Sequence, residues 1–181
     1  MITPEQRAWL DHLSDTDVVR VVPWDPTAEG KFAAIRDQAR ALLGQQRAVE
    51  HRGATSLGIS GQDEIDIYIP VPTAQFDHVV TAVMTLYGDP RSLYPLKRAR
   101  FVTSIHGKHI DVFVINEDDQ GWKDSCTFHQ YLLDNPPTLT EYRVLKEQAA
   151  GTSTRAYYER KTEFINKVLS AASGDRSTLS H

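Results

Sequence analysis

The sequence predicts an α+β fold, a small mixed β-sheet with helices packed against it and a helical C-terminal third. Short Val- and Ile-rich runs alternate with helix-like repeats through the first two thirds of the chain. His106, Gly107 and Lys108 separate two such runs in the way a hairpin connection does. From residue 125 onward the apolar residues recur at helical spacing.

Taken in order, Thr3 as N-cap, Pro4 at the first position and Gln6 at the third predict a helix over 4–13. DVVRVV at 17–22 suits a strand, and Asp25 with Pro26 opens a helix whose Phe32, Ile35, Ala39 and Leu42 share a face until Gly44. A strand near 47–51 leads to a turn at Gly53, and a strand follows over 64–71. Thr73 caps a helix carrying Phe76, Val80, Val83 and Leu86, closed by Gly88. Strands over 99–105 and 109–115 come next, then a helix over 125–134. Thr138 with Glu141 makes a capping box for a helix over 139–150, and Ser153 starts the last helix, with Tyr158, Phe164, Ile165, Val168 and Leu169. With neither internal repeats nor a dividing linker, residues 1–172 read as a single domain and 173–181 as a disordered tail.

Composition narrows the function classes. A chain of 181 residues with 40% hydrophobic content can bury a core. A net charge of −4 and a pI of about 6.0 argue against binding long nucleic acids, which needs a basic excess, but leave room for a small phosphorylated ligand. Cys126 is the one cysteine, so no intrachain disulfide forms, which fits a reducing compartment. No apolar run approaches the ~20 residues of a membrane span. The start, MITPEQRAWLDHL, lacks the pattern of a secretory signal, so a cytoplasmic protein with no membrane association is expected.

The chemistry concentrates on two strands. Side chains alternate along a strand, so Glu64 and Asp66 share one face while Ile65, Ile67 and Ile69 take the other. His109, Asp111 and Phe113 likewise share a face. If the two strands lie side by side with matched faces, Glu64, Asp66 and Asp111 meet, the arrangement two-metal phosphoryl or nucleotidyl transfer uses. Carboxylates so placed repel one another, and Mg²⁺, or Mn²⁺ in its stead, offsets the repulsion. The plain structural alternative is the solvent face of an antiparallel sheet. In the turn before the acids, Gly53 lets the backbone approach a ligand, and Thr55 and Ser56 offer hydroxyls and amides to phosphate oxygens. The length from Gly53 to Glu64 leaves room for a short helix between them.

VVPWDPTAEGKF, VEHRGATS before IDI, HID in the later strand, FHQYLLDNP with EYRVLK, and YYERKTEFINKVLSAA occur in that order. In these blocks the chain resembles the GrpB family, assigned to the nucleotidyltransferase superfamily, over roughly residues 17–172. The resemblance implies a nucleotidyltransferase-like sheet in which a Gly-Ser or Gly-Gly pair, here Gly53 and Ala54, precedes the acids Glu64 and Asp66, with Asp111 as the third. Typical relatives read Gly-Ser-Thr at the turn, whereas Ala54 lacks the hydroxyl, and the lysine of their Lys-Pro pair is absent here. The resemblance also carries Tyr157 and Lys161, one turn apart, as candidate nucleotide contacts through base stacking and phosphate charge.

Other residues carry competing readings. His51 could bond a phosphate or hold the loop, and His106, His109 and Asp111 hint at zinc, although alternation separates His106 from the other two; His109 could instead assist Asp111. Lys97, Arg98 and Arg100 could neutralise a triphosphate or merely guard an edge strand. Cys126 and His129 lack a third member for nucleophilic chemistry, and Trp9, Trp24 and Trp122 read as packing residues. The leading expectation is a Mg²⁺-dependent nucleotidyltransferase moving a nucleoside monophosphate from a nucleoside triphosphate to a small acceptor of unknown identity. The alternative is a non-catalytic nucleotide- or coenzyme A-binding module, and a partner-binding structural domain stands third.

Overall fold

Ile65, Ile67 and Ile69 are fully buried while Glu64, Asp66 and Tyr68 between them are only partly covered, so β2 (Glu64–Val71) has the alternation its sequence implies. Around it forms a five-stranded sheet in the order β1-β2-β5-β4-β3, with β1 Glu50–Arg52, β3 Ser92–Tyr94, β4 Arg98–Ile105 and β5 Lys108–Asn116. β2 runs parallel to β5, and the other neighbours are antiparallel, so the sheet is mixed.

Two helices cover the isoleucine face. α2 (Ala28–Leu43) buries Ala28, Phe32, Ile35 and Ala39, and α4 (Phe76–Tyr87) buries Phe76, Val79, Val80 and Val83, all in one cluster with Ile65, Ile67, Ile69, Phe101, Ile110, Val112 and Val114. Each such side chain contributes on the order of 1.5–3 kcal/mol by leaving water, which makes the register of β2 and β5 hard to slip. A one-residue shift would put the acids into this layer.

The computed structural model describes residues 1–178, with side chains described as far as Gly174. The chain divides into two compact units, Pro23–Lys123, which holds the sheet, and Met1–Val22 with the chain from Asp124 onward. The second unit is built from α1 (Pro4–Leu10), α6 (Pro136–Ala149) and α7 (Thr154–Thr178); α5 (Gln120–Asp134) spans the point of division. Tyr142 and Phe164 stack there at 5.3 Å, and Phe128 meets both edge-on.

Several elements differ from the sequence reading for definable reasons. Residues 17–22 form no strand: Val18 makes a single bridge to Ser153, and Val19 exchanges hydrogen bonds with Thr152 and Gly151. Its partner is a tight connection between α6 and α7, too short to extend a ladder. Thr138 is not a cap, because α6 begins two residues earlier at Pro136, a residue suited to the first turn. The three-residue strand β3 at the sheet edge has no counterpart in the sequence reading. The disordered tail expected over 173–181 starts inside α7, which runs to Thr178, and positions 179–181 lie outside the described residues.

Candidate functional site

The face of the sheet opposite α2 and α4 carries the acids. Parallel pairing sets Glu64 beside His109 and Asp66 beside Asp111, and the antiparallel pairing of β4 sets Val102 opposite Asp111 and Arg100 opposite Phe113. Because register partners point to the same side, Glu64, Asp66, His109, Asp111 and Arg100 occupy one surface. The adjacency of β2 and β5, which the sequence could only assume, is therefore present.

Within that surface one ligand atom from each of Glu64, His109 and Asp111 lies within 4.8 Å of the others. Asp111 is 5% exposed, and its Oδ1 accepts from Arg100 Nε at 2.9 Å and meets His109 Nε2 at 3.0 Å. Burial works against the charge on Arg100, but the hydrogen bond and charge of Asp111, with the charges of Glu64 and Asp66, outweigh it and raise the guanidinium above its ordinary value. Arg100 thus lies in the field of all three acids. Asp66 stands slightly apart from the converging trio, with its Oδ2 turned toward Gly53.

Gly53 begins α3 (Gly53–Ser56), with φ at +73°. A Cβ at this position would lie 2.1 Å from Asp66 Oδ2, so only glycine lets the turn approach the acidic strand this closely. The hydroxyls of the turn already have partners: Thr55 Oγ1 is 2.9 Å from His51 Nε2, and Ser56 Oγ donates to the carbonyl of Gly53 at 2.9 Å. The Thr55 carbonyl accepts the Trp24 indole N–H at 3.0 Å, and the Ala54 carbonyl accepts from the amide of Ile59.

His51 resolves to the structural reading. It pairs with Ile67 on the core side of the sheet, stacks on Phe32 at 4.9 Å, and its side chain is 9% exposed. Its Nδ1 faces Glu29 at 3.3 Å. Burial holds the imidazole below its ordinary value, and the Glu29 carboxylate only partly opposes this. Glu29 carries no motif of its own, and its position in the first turn of α2 was the one hint available.

Among the cationic candidates, Lys97 is exposed, whereas Arg98 is held over the rings of Tyr94 and Phe113 at 5.1 and 5.8 Å. Below the acids the same face continues as stacked rings, Tyr68 on Phe113 at 4.5 Å and Tyr68 on Trp122 at 5.3 Å, with Arg52 over Trp122. Of the three tryptophans only Trp122 is buried; Trp9 and Trp24 are each 47% exposed. His106 sits in the two-residue hairpin turn with positive φ, as Gly107 does, and is not part of the converging group.

The other unit holds Tyr157 and Lys161. Tyr157 is completely buried with Val19 and Ala149, so its ring has no open face for a base, contrary to the stacking role that the family resemblance implied. Lys161 Nζ lies 5.2 Å over the ring of Tyr158.

This architecture defines an α+β protein whose mixed sheet is apolar on one side and acidic on the other. The family model described as GrpB protein matches residues 18–171, and the chain belongs to the GrpB family. It is similar in fold to the solved structure titled "Crystal structure of conserved protein GrpB from Enterococcus faecalis", at 23% identity and a TM-score of 0.67, covering 84% of this chain and 96% of that one. Comparison with curated proteins gives no match. No helix among the described residues is long and apolar enough to cross a membrane.

Proposed function

We propose that this protein is a divalent-cation-dependent nucleotidyltransferase that moves a nucleoside monophosphate from a nucleoside triphosphate to a small acceptor. The observation that carries this reading is the parallel register of Asp66 with Asp111 and Glu64 with His109, which gathers acids from two strands onto one face beside a glycine turn. Carboxylates gathered on one face suit a hard dication such as Mg²⁺ or Mn²⁺, which Glu64, Asp66 and Asp111 would hold. When bound, such an ion would offset the charge of the triphosphate and of the leaving pyrophosphate.

The chain's own residues have separable tasks. Gly53 and Ala54 bring backbone amides up to the donor phosphates, and His51 and the Gly53 carbonyl fix the Thr55 and Ser56 side chains so that the turn keeps its shape. Glu64 and Asp66 hold the cation side of the donor. Asp111 would bind a cation as well and help take the proton of the acceptor hydroxyl. Arg100, with Arg98 at the start of β4 and Lys97 just before it, supplies positive charge to phosphate oxygens.

A non-catalytic nucleotide- or coenzyme A-binding module is the second reading, favoured by Ala54, which offers no hydroxyl, and by the Arg100 guanidinium already seated on Asp111. Calorimetric titration of nucleoside triphosphates with Mg²⁺ or Mn²⁺, followed by an assay for pyrophosphate release, separates the two. Under the transferase reading Asp66→Asn keeps the thermal melt of the parent and loses turnover. Turnover retained in that variant overturns the assignment of Asp66, and tight nucleotide binding with no pyrophosphate under any acceptor favours the module.

A further inference from the structure

We propose that the cation held on this face is a first-row transition dication bound by Glu64, His109 and Asp111, with His109 as a direct nitrogen ligand, in preference to Mg²⁺. The inference rests on the reading of the acidic face as a cation site, but not on any transfer reaction taking place there.

Three donors from two strands lie close enough for one ion to draw them together. Two donors at right angles around an octahedral ion, each about 2.1–2.2 Å from it, are about 3 Å apart, and two opposite donors are a little over 4 Å apart. His109 Nε2 stands 3.0 Å from Asp111 Oδ1, and all three donor atoms fall within 4.8 Å. Parallel register places Glu64 directly beside His109, so the carboxylate and the imidazole come from adjacent backbone positions on neighbouring strands. His109 has 43% of its side chain exposed and Asp111 5%, so the group opens to solvent on the histidine side and is closed behind.

Donor chemistry then selects the metal. Mg²⁺ demands oxygen donors and gives up its water reluctantly, whereas an imidazole beside two carboxylates favours the first-row transition ions. The chain supplies its own competitor in Arg100, whose Nε occupies the same Asp111 oxygen at 2.9 Å. Without a metal the guanidinium offsets the acids, and a bound cation has to displace it from Oδ1.

Mn²⁺ alone is the probe, because it is paramagnetic and Mg²⁺ is its silent competitor. Pulsed electron paramagnetic resonance on the full chain with one equivalent of Mn²⁺ is expected to show coupling to an imidazole nitrogen, lost in His109→Asn. Calorimetry is expected to show Mn²⁺ affinity falling about tenfold or more in His109→Asn and rising several-fold in Arg100→Gln, with excess Mg²⁺ displacing Mn²⁺ poorly from the parent. Circular dichroism melts establish that each variant is folded, and His109→Gln serves if His109→Asn is not. Absence of nitrogen coupling in the parent, no Mn²⁺ binding at all, or equal Mn²⁺ affinity in the parent and the folded His109 variant each overturns the proposal. Nitrogen coupling without pyrophosphate release would leave this site standing and remove the transferase reading. Mg²⁺-supported pyrophosphate release without nitrogen coupling would do the reverse.

Discussion

Asp66 Oδ2 fills the space that any side chain at position 53 would enter, 2.1 Å from where a Cβ on Gly53 would stand. The turn and the acidic strand are therefore fitted to one another at a single atom pair, and Gly53 also adopts a φ of +73° that other residues reach only with strain. Gly53→Ala should destabilise the fold by about 1–3 kcal/mol, combining left-handed backbone strain with displacement of a carboxylate. Urea unfolding measures it. A variant as stable as the parent would mean that Asp66 turns aside at no cost and that the turn is not fitted to it.

The pairing of Arg100 with Asp111 yields a second expectation. Asp111 is nearly closed off from water, while the Arg100 side chain is 35% exposed, so the loss is discounted for solvent on the arginine side. Arg100→Met should cost about 1–2 kcal/mol in a metal-free buffer, because it takes a charged partner from a nearly closed-off carboxylate and leaves His109 beside it. Asp111→Asn combined with Arg100→Met should cost less than the sum of the singles, which a double-mutant cycle would detect as a coupling term.

His51 gives the fold a pH dependence. Burial lowers its folded value below the ordinary 6.5, so the folded chain holds the ring neutral where the unfolded chain protonates it. Stability from this residue is complete above the unfolded value and is lost as pH falls toward the folded one. The gap between parent and His51→Asn in urea midpoint should therefore narrow from about pH 7.5 to about pH 5.5. A gap that widens on acidification would show that the Glu29 carboxylate, not burial, governs the ring.

Tyr157 tests the core of the other unit. With the ring fully buried beside Val19 and Ala149, Tyr157→Ala should cost about 3–5 kcal/mol in thermal or denaturant unfolding, the penalty of an emptied aromatic site. An exposed stacking residue would cost a few tenths.

The hairpin turn between β4 and β5 places positive φ at both His106 and Gly107. His106→Asn should be neutral or stabilising by about 0.5 kcal/mol, because asparagine takes this conformation more readily, whereas Gly107→Val should lose about 1–2 kcal/mol. Comparison of melting temperatures decides between these signs.

Much of the sheet was legible because its signals are local. Alternation of acids with isoleucines fixed β2 at 64–71 and put Glu64 and Asp66 on the same side, and the Gly107 connection located the hairpin. Those patterns depend only on the pleat of a strand and the stereochemistry of glycine. The segment 17–22 failed for the complementary reason: a β-branched run becomes a strand only if a partner strand is long enough to receive it, and here Val18 found one residue, Ser153. Tyr157 misled because the family resemblance marks a position without saying whether its side chain meets protein or water.

The sequence by itself determined the two-faced strand, the glycine turn before it and the membership in the GrpB family, since each is written in neighbouring residues or in blocks that keep their order. Only the tertiary structure decided that β2 lies parallel to β5, so that Glu64 meets His109 and Asp66 meets Asp111, and that Arg100 reaches Asp111 from β4. Pairing between strands separated by some forty residues is set by burial of the isoleucine layer under α2 and α4, a property of the assembled core that no local pattern contains.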